Sequence, residues 1–155
     1  MNTRDGEAHG HDQPQSWSVE IWTDESGRSP FLKWFGGLPS HEQAVVDAVI
    51  QEVLIPLGIN ICQTEWGKPL KDGLYEIRIR KLPTPSHTNL HRLQPTDDPL
   101  QPHRQVLLRI FCTFYGDQVV LLFHGYNKGK DPSKRRQERE IRTARKYLQA
   151  WKRTR

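Results

Sequence analysis

Two cysteines in 155 residues, Cys62 and Cys112, lie far apart and show no metal-ligand spacing. That sparsity points to a disulfide-free protein of a reducing, cytoplasmic compartment. The longest apolar run is Val119–Phe123, far short of the roughly 20 residues that a bilayer span needs, so a membrane is not an expected partner. The opening stretch MNTRDGEAHGHDQPQ contains no apolar segment, which argues against a secretory signal peptide. There is no nucleophile elbow, no Walker loop and no dinucleotide fingerprint. His87, His91 and His103 fall in a Pro-rich stretch without a cysteine partner, and His9 and His11 fall in a polar leader. None of these patterns asks for a metal, and no cofactor is expected.

What is present is one domain's worth of chain. Hydrophobic residues make up 35% and charged residues 26%, a polar composition with a modest core. The net charge of +5 is unevenly spread. From Tyr126 to Arg155 there are 12 Lys/Arg against Asp131, Glu138 and Glu140, a balance of +9 that leaves the preceding 125 residues at −4. A basic end on a mildly acidic body suits a polyanion or an acidic protein partner.

Periodicity divides the chain further. Residues 1–16 read as a disordered leader and 17–153 as a single domain. Trp17–Thr23 alternates as a strand. Ser29 and Pro30 read as the N-cap and first position of a short helix over 30–36, stopped at Gly36-Gly37. A second helix over 40–56 carries Val46, Val49, Ile50, Val53 and Leu54 at helical spacing. Ser40 and Gln43 stand at capping-box spacing, and Pro56 and Gly58 close the helix. The stretch 59–73 reads as a connector. Strands follow at 74–80, 105–115 and 118–126, then a helix over 132–151 whose apolar side is Ile141, Ala144, Leu148 and Trp151. Lys81–Gln105 holds five prolines and reads as a loop insertion. The order is β-α-α-β-β-β-α.

The last two strands generate a site. With Gly116-Asp117 as a two-residue turn, Tyr115 pairs with Gln118, Arg109 lies opposite His124, and Leu107 lies opposite Tyr126. Arg109, His124 and Tyr126 then share one sheet face, opposite an apolar face of Val106, Leu108, Ile110, Cys112 and Phe114. An arginine, a histidine and a tyrosine together can hold an oxyanion and move a proton. In the strand at 74–80, Glu76, Arg78 and Arg80 share a face, so two arginines could join that site. Lys128 and Lys130 flank the entry to the last helix. Lys134, Arg135 and Arg136 then crowd its first turn, against the helix dipole, where an anion would relieve the conflict.

Four segments carry a family resemblance: KPLKDGLYEIRIR (68–80), RIFCTFY (109–115), LLFHGYNKGKDP (121–132) and EIRTARKYL (140–148). In this order they resemble the phage-derived Gp49-like branch of the RelE/HigB toxin superfamily, over about residues 17–153. The resemblance implies an α+β fold, a small twisted, mainly antiparallel sheet with helices packed on one side. It implies the toxin of a type II toxin–antitoxin module, a metal-independent and ribosome-dependent mRNA endoribonuclease. Its partners would be a helix-turn-helix antitoxin, mRNA and the ribosome. In such enzymes the ribose 2′-OH attacks the adjacent phosphate. By resemblance Lys71, Arg78 and Arg80 bind RNA or stabilise the transition state, Arg109 holds the scissile phosphate, and His124 and Tyr126 transfer protons. Lys128 and Lys130 match the basic segment that follows the last strand. The chain departs from the pattern in its long 81–105 connection and in Asn127-Lys128-Gly129-Lys130, which replaces paired lysines. A second class of function fits the same residues: a non-catalytic nucleic-acid-binding or phage-derived partner-binding module on this fold.

Overall fold

The computed structural model describes residues 16–80 and 106–155. The leader up to residue 15 and the loop 81–105, both expected to be the least ordered parts, lie outside the described residues. Five strands form one mixed sheet: β1 (Ser18–Ile21), β2 (Gly67–Pro69), β3 (Tyr75–Ile79), β4 (Leu108–Tyr115) and β5 (Val119–Asn127). Their spatial order is β1-β5-β4-β3-β2. β1 runs parallel to β5, and the other three pairings are antiparallel. β2 falls inside the expected connector. Three residues ending in proline carry no readable alternation.

Helix α1 (Pro30–Gly36) starts as its sequence dictates, with the Ser29 hydroxyl accepting from the Leu32 N–H at 3.1 Å. Helix α2 (Ser40–Val49) does not form the expected capping box. Its cap is Pro39, and Gln43 instead donates its side-chain amide to the Phe35 carbonyl at 2.9 Å, tying α1 to α2. The rod continues through a π-helical turn, Ile50–Leu54, into α3 (Ile55–Leu57). Pro56 has no N–H and its ring crowds the carbonyl four residues back, so a widened turn before it is the expected relief. The run Ser40–Gln63 is 24 residues and apolar enough, by length and composition, to cross a membrane. Its apolar side is spent on the sheet, where Val45, Val46, Val49, Val53, Leu54 and Ile61 are buried.

The helices do not all lie on one side, contrary to the family-based expectation. Phe31 and the apolar side of the rod pack with Ile77, Ile79, Leu108, Ile110, Cys112, Val120 and Leu122 on one face. Helix α4 (Lys134–Arg153) covers the other face, where Ala144 and Leu148 pack with Leu74, Phe111, Leu121 and Phe123. Both faces of the sheet need cover because β4 and β5 are buried along most of their length on alternating sides.

The β4–β5 register also departs from expectation, twice. The turn has three residues, with Gly116 and Gln118 at φ 55° and 60°, so Tyr115 pairs with Val119. That one-residue slip alone would send Arg109 and Tyr126 to opposite faces. A β-bulge between Phe111 and Cys112 adds a second slip: Cys112 pairs with Leu122, Phe111 with His124, and Phe123 has no partner. Two slips restore the face. Arg109 therefore lies opposite Tyr126, not His124, and all three side chains still share the α4 face.

On the other face, Gly125 lies flat under Trp34 of α1. A Cβ there would come within 2.6 Å of the indole ring. Gly125→Ala should lower stability by about 1–3 kcal/mol, read as a reduced denaturation midpoint. An unchanged midpoint would contradict this packing.

Candidate functional site

The α4 face of the sheet carries a polar row. Arg78 on β3 pairs with Arg109 on β4, which pairs with Tyr126 on β5. One step along, Glu76 pairs with Phe111, and Phe111 with His124. Glu76 is fully buried and Arg109 is 1% exposed. Glu76 Oε1 accepts from Arg78 Nε at 2.9 Å and stands 3.8 Å from Arg109 Nε. Arg109 also donates Nη1 to the Leu108 carbonyl at 3.2 Å.

Among the described residues, the buried Glu76 Oε2, Arg109 Nε and Tyr126 hydroxyl have no hydrogen-bond partner. Buried polar groups are nearly always paired, so such a cluster costs stability and is a candidate binding site. Burial pushes the Arg109 pKa down while Glu76 opposes the shift. Burial, with Glu76 adding to it, pushes the Tyr126 phenol up to about 12, so it keeps its proton at neutral pH. Lys128, half-buried beside the row, is shifted down by burial and then by Arg109.

His124 faces α4. Its Nε2 lies 2.9 Å from Glu140 Oε2, its ring stacks on Phe111 at 5.0 Å, and Tyr147 meets it edge-on at 5.3 Å. Its buried Nδ1 has no hydrogen-bond partner among the described residues. Glu140 also accepts from Arg136 Nε at 2.7 Å, one helical turn away, and the Arg136 guanidinium sits 5.6 Å over the Tyr126 ring. His124, Glu140, Arg136 and Tyr126 thus form a chain from the bulged strand through α4 and back to the row. The place held by His124 suits positioning better than proton transfer to an incoming substrate.

The expected site residues divide into four groups. Arg78, Arg109 and Tyr126 are brought into contact or register, with His124 beside them. Arg80 and Lys128 are close enough to act on the charge of Arg109. Lys130, Lys134 and Arg135 are exposed around the start of α4, with no side-chain tie to the row among the described residues. That helix begins later than expected and is capped by its own chain. Ser133 Oγ accepts from the Arg136 N–H, and Asp131 accepts from the Ser133 N–H. Lys71 is elsewhere. It occupies the β2–β3 turn at φ 75°, where the carbonyls of Lys71 and Asp72 accept from Arg145 and Lys152. Arg145 is nine residues past Arg136 on α4, about 13 Å along its axis, so Lys71 is not part of this cluster.

Glu76 and Arg136 are placed on their elements by the sequence but not assigned to this site, and Glu140 is not singled out at all. The signals were there. Glu76 is the lone acid on a face it shares with Arg78 and Arg80, and Glu140 is one of three acids in a segment with 12 cations, four residues from Arg136. Among the described residues, no group of three or more His, Cys, Asp or Glu is arranged to hold a metal ion. His87, His91 and His103 lie outside those residues. No protein-family model matches the chain, and no curated protein matches it.

The His124 hydrogen bond, with Arg136 adding to it, holds the Glu140 carboxyl below its ordinary value of 4.5 against the opposing effect of burial. A depressed folded pKa contributes stability that is present above the unfolded pKa and lost as pH falls through the folded one. Glu140→Gln should therefore be less stable than the parent by about 1–2 kcal/mol at neutral pH. The gap should close as pH drops below about 4.5. Denaturant titrations at several pH values measure it, and a gap unchanged down to about pH 3 would contradict the assignment.

Proposed function

We propose that this chain is the cytoplasmic toxin of a type II toxin–antitoxin module, acting as a ribosome-dependent mRNA endoribonuclease without a metal. The observation that carries the reading is the Arg78–Arg109–Tyr126 row, set around a buried carboxylate and holding polar atoms that have no partner among the described residues. RNA cleavage by 2′-OH attack needs a proton acceptor at the 2′ oxygen, positive charge on the five-coordinate phosphorus and a proton for the departing 5′ oxygen. The products are a 2′,3′-cyclic phosphate and a 5′-hydroxyl.

The groups to do this are within one face. Arg109 and Arg78 offer planar forks that match phosphate oxygens and stay charged. With Lys128 they carry the positive charge that a metal would otherwise supply. Glu76 Oε2 is the free acceptor in the row. Tyr126, kept protonated, is the donor for the leaving oxygen. His124 and Glu140 hold Arg136 over Tyr126 and so set the row's geometry. The exposed cations Lys130, Lys134 and Arg135 add long-range attraction for RNA. The same basic surface suits an acidic segment of a helix-turn-helix antitoxin, which would block RNA by covering it.

The second reading, a non-catalytic binding module, is favoured by one fact: Arg109 and His124 are only 1% and 6% exposed. Induced expression of Arg109→Ala, Tyr126→Phe and His124→Ala variants separates the two, provided each folds and binds the antitoxin. Growth arrest and mRNA 5′ ends are the readouts. Arg109→Ala and Tyr126→Phe should each lose a factor of about 10² or more in cleavage. His124→Ala, acting through position, should lose less. If all three remain fully toxic, the row is structural and the site lies elsewhere.

A further inference from the structure

At the open edge of the sheet, sharing Arg78 with the row, a small cavity is lined by Glu65, Trp66, Arg78 and Arg80. Trp66 comes just before the edge strand β2 and is only partly buried against the core. Its backbone is fixed on both sides: its N–H donates to Thr64 Oγ1 at 3.1 Å and its carbonyl accepts from the Arg78 N–H at 2.8 Å. The indole thus springs from a fixed backbone and packs in part against the core. Arg78 and Arg80 line the same cavity, and Arg78 donates its Nε to Glu76 inside the row.

From this geometry we propose that the Trp66 cavity is a nucleobase-stacking subsite for the RNA nucleotide next to the scissile phosphate. The proposal rests on the RNA-cleaving reading of the row and adds to it the residue that seats the substrate's base. The argument is chemical. An aromatic face flanked by arginines suits a planar base joined to an anionic backbone, because the ring stacks and the guanidiniums take the phosphate. Arg78 is common to both places. It holds Glu76 in the row and lines the cavity, so a base on Trp66 lies one residue from the groups that would act on its phosphate. Arg80, exposed and following β3 on the same side, extends the positive lining outward.

The test is single-turnover cleavage of an mRNA fragment bound to programmed ribosomes. The fragment carries either an intact base or an abasic ribose at each position flanking the cut. With the wild-type protein, one abasic position should slow cleavage by about tenfold, the scale of losing one base–aromatic stack. Trp66→Ala should be slowed to a similar extent on the intact RNA, and the abasic substitution should then cost it nothing further. Trp66→Phe keeps a ring and should retain most of the rate together with the abasic sensitivity. It also covers the case in which Trp66→Ala does not fold. Wild-type cleavage that ignores every abasic position, or losses that simply multiply in Trp66→Ala, would overturn the subsite while leaving the cleaving row intact. A wild-type protein that cuts no RNA under these conditions would overturn both.

Discussion

Glu76 is a carboxylate with no exposed surface, placed on the middle strands of a sheet, and the surrounding structure is arranged to answer its charge. Arg78 meets it directly, and Arg109, itself buried, stands at ion-pair distance. Removing two ions from water costs several kcal/mol each, and their attraction offsets this only when the remaining polar atoms are also satisfied. Here they are not: among the described residues, Glu76 Oε2 and Arg109 Nε have no hydrogen-bond partner. An apolar pair of the same volume would fit the core with less cost. The cluster is therefore costly to stability, and under the proposed function a phosphate with its ribose would supply both an acceptor for arginine and a hydroxyl for the carboxylate.

That cluster depends on a geometric compensation. The β4–β5 turn has one residue more than the sequence suggests, and by itself this would have turned Tyr126 away from Arg109. The bulge at Phe111/Cys112 undoes the change and brings both Phe123 and His124 to the α4 side. Phe123 then packs in the core beneath α4, while His124 reaches Glu140. One irregularity in a strand so serves the packing and the polar chain together.

Much of this was legible in the residues. Alternation placed β3, β4 and β5 and separated the arginine face from the apolar one. The Ser29-Pro30 pair marked α1, and the apolar stripe of α4 held. What was not legible follows from physics that a linear pattern does not carry. Turn length hinges on Gln118 taking a positive φ, which its residue type does not announce. The short edge strand β2 is defined by its pairing with β3, not by its own three residues. Cover on both faces was hidden because a helix pattern tells which stripe is apolar but not which sheet face it meets. Within the site, cations were easy to find by their number. The two acids that organise them, Glu76 and Glu140, were obscured by the same abundance of charge.

The most direct test of the account is the chemistry of the RNA ends. Translating ribosomes are exposed to the purified protein in the presence of a strong metal chelator matched to the free magnesium the ribosome needs, and the fragments are characterised at both termini. Cleavage by the proposed row leaves a 2′,3′-cyclic phosphate on the upstream fragment and a 5′-hydroxyl on the downstream one. Fragments ending in a 3′-hydroxyl and a 5′-phosphate, or no fragments at all, would contradict it.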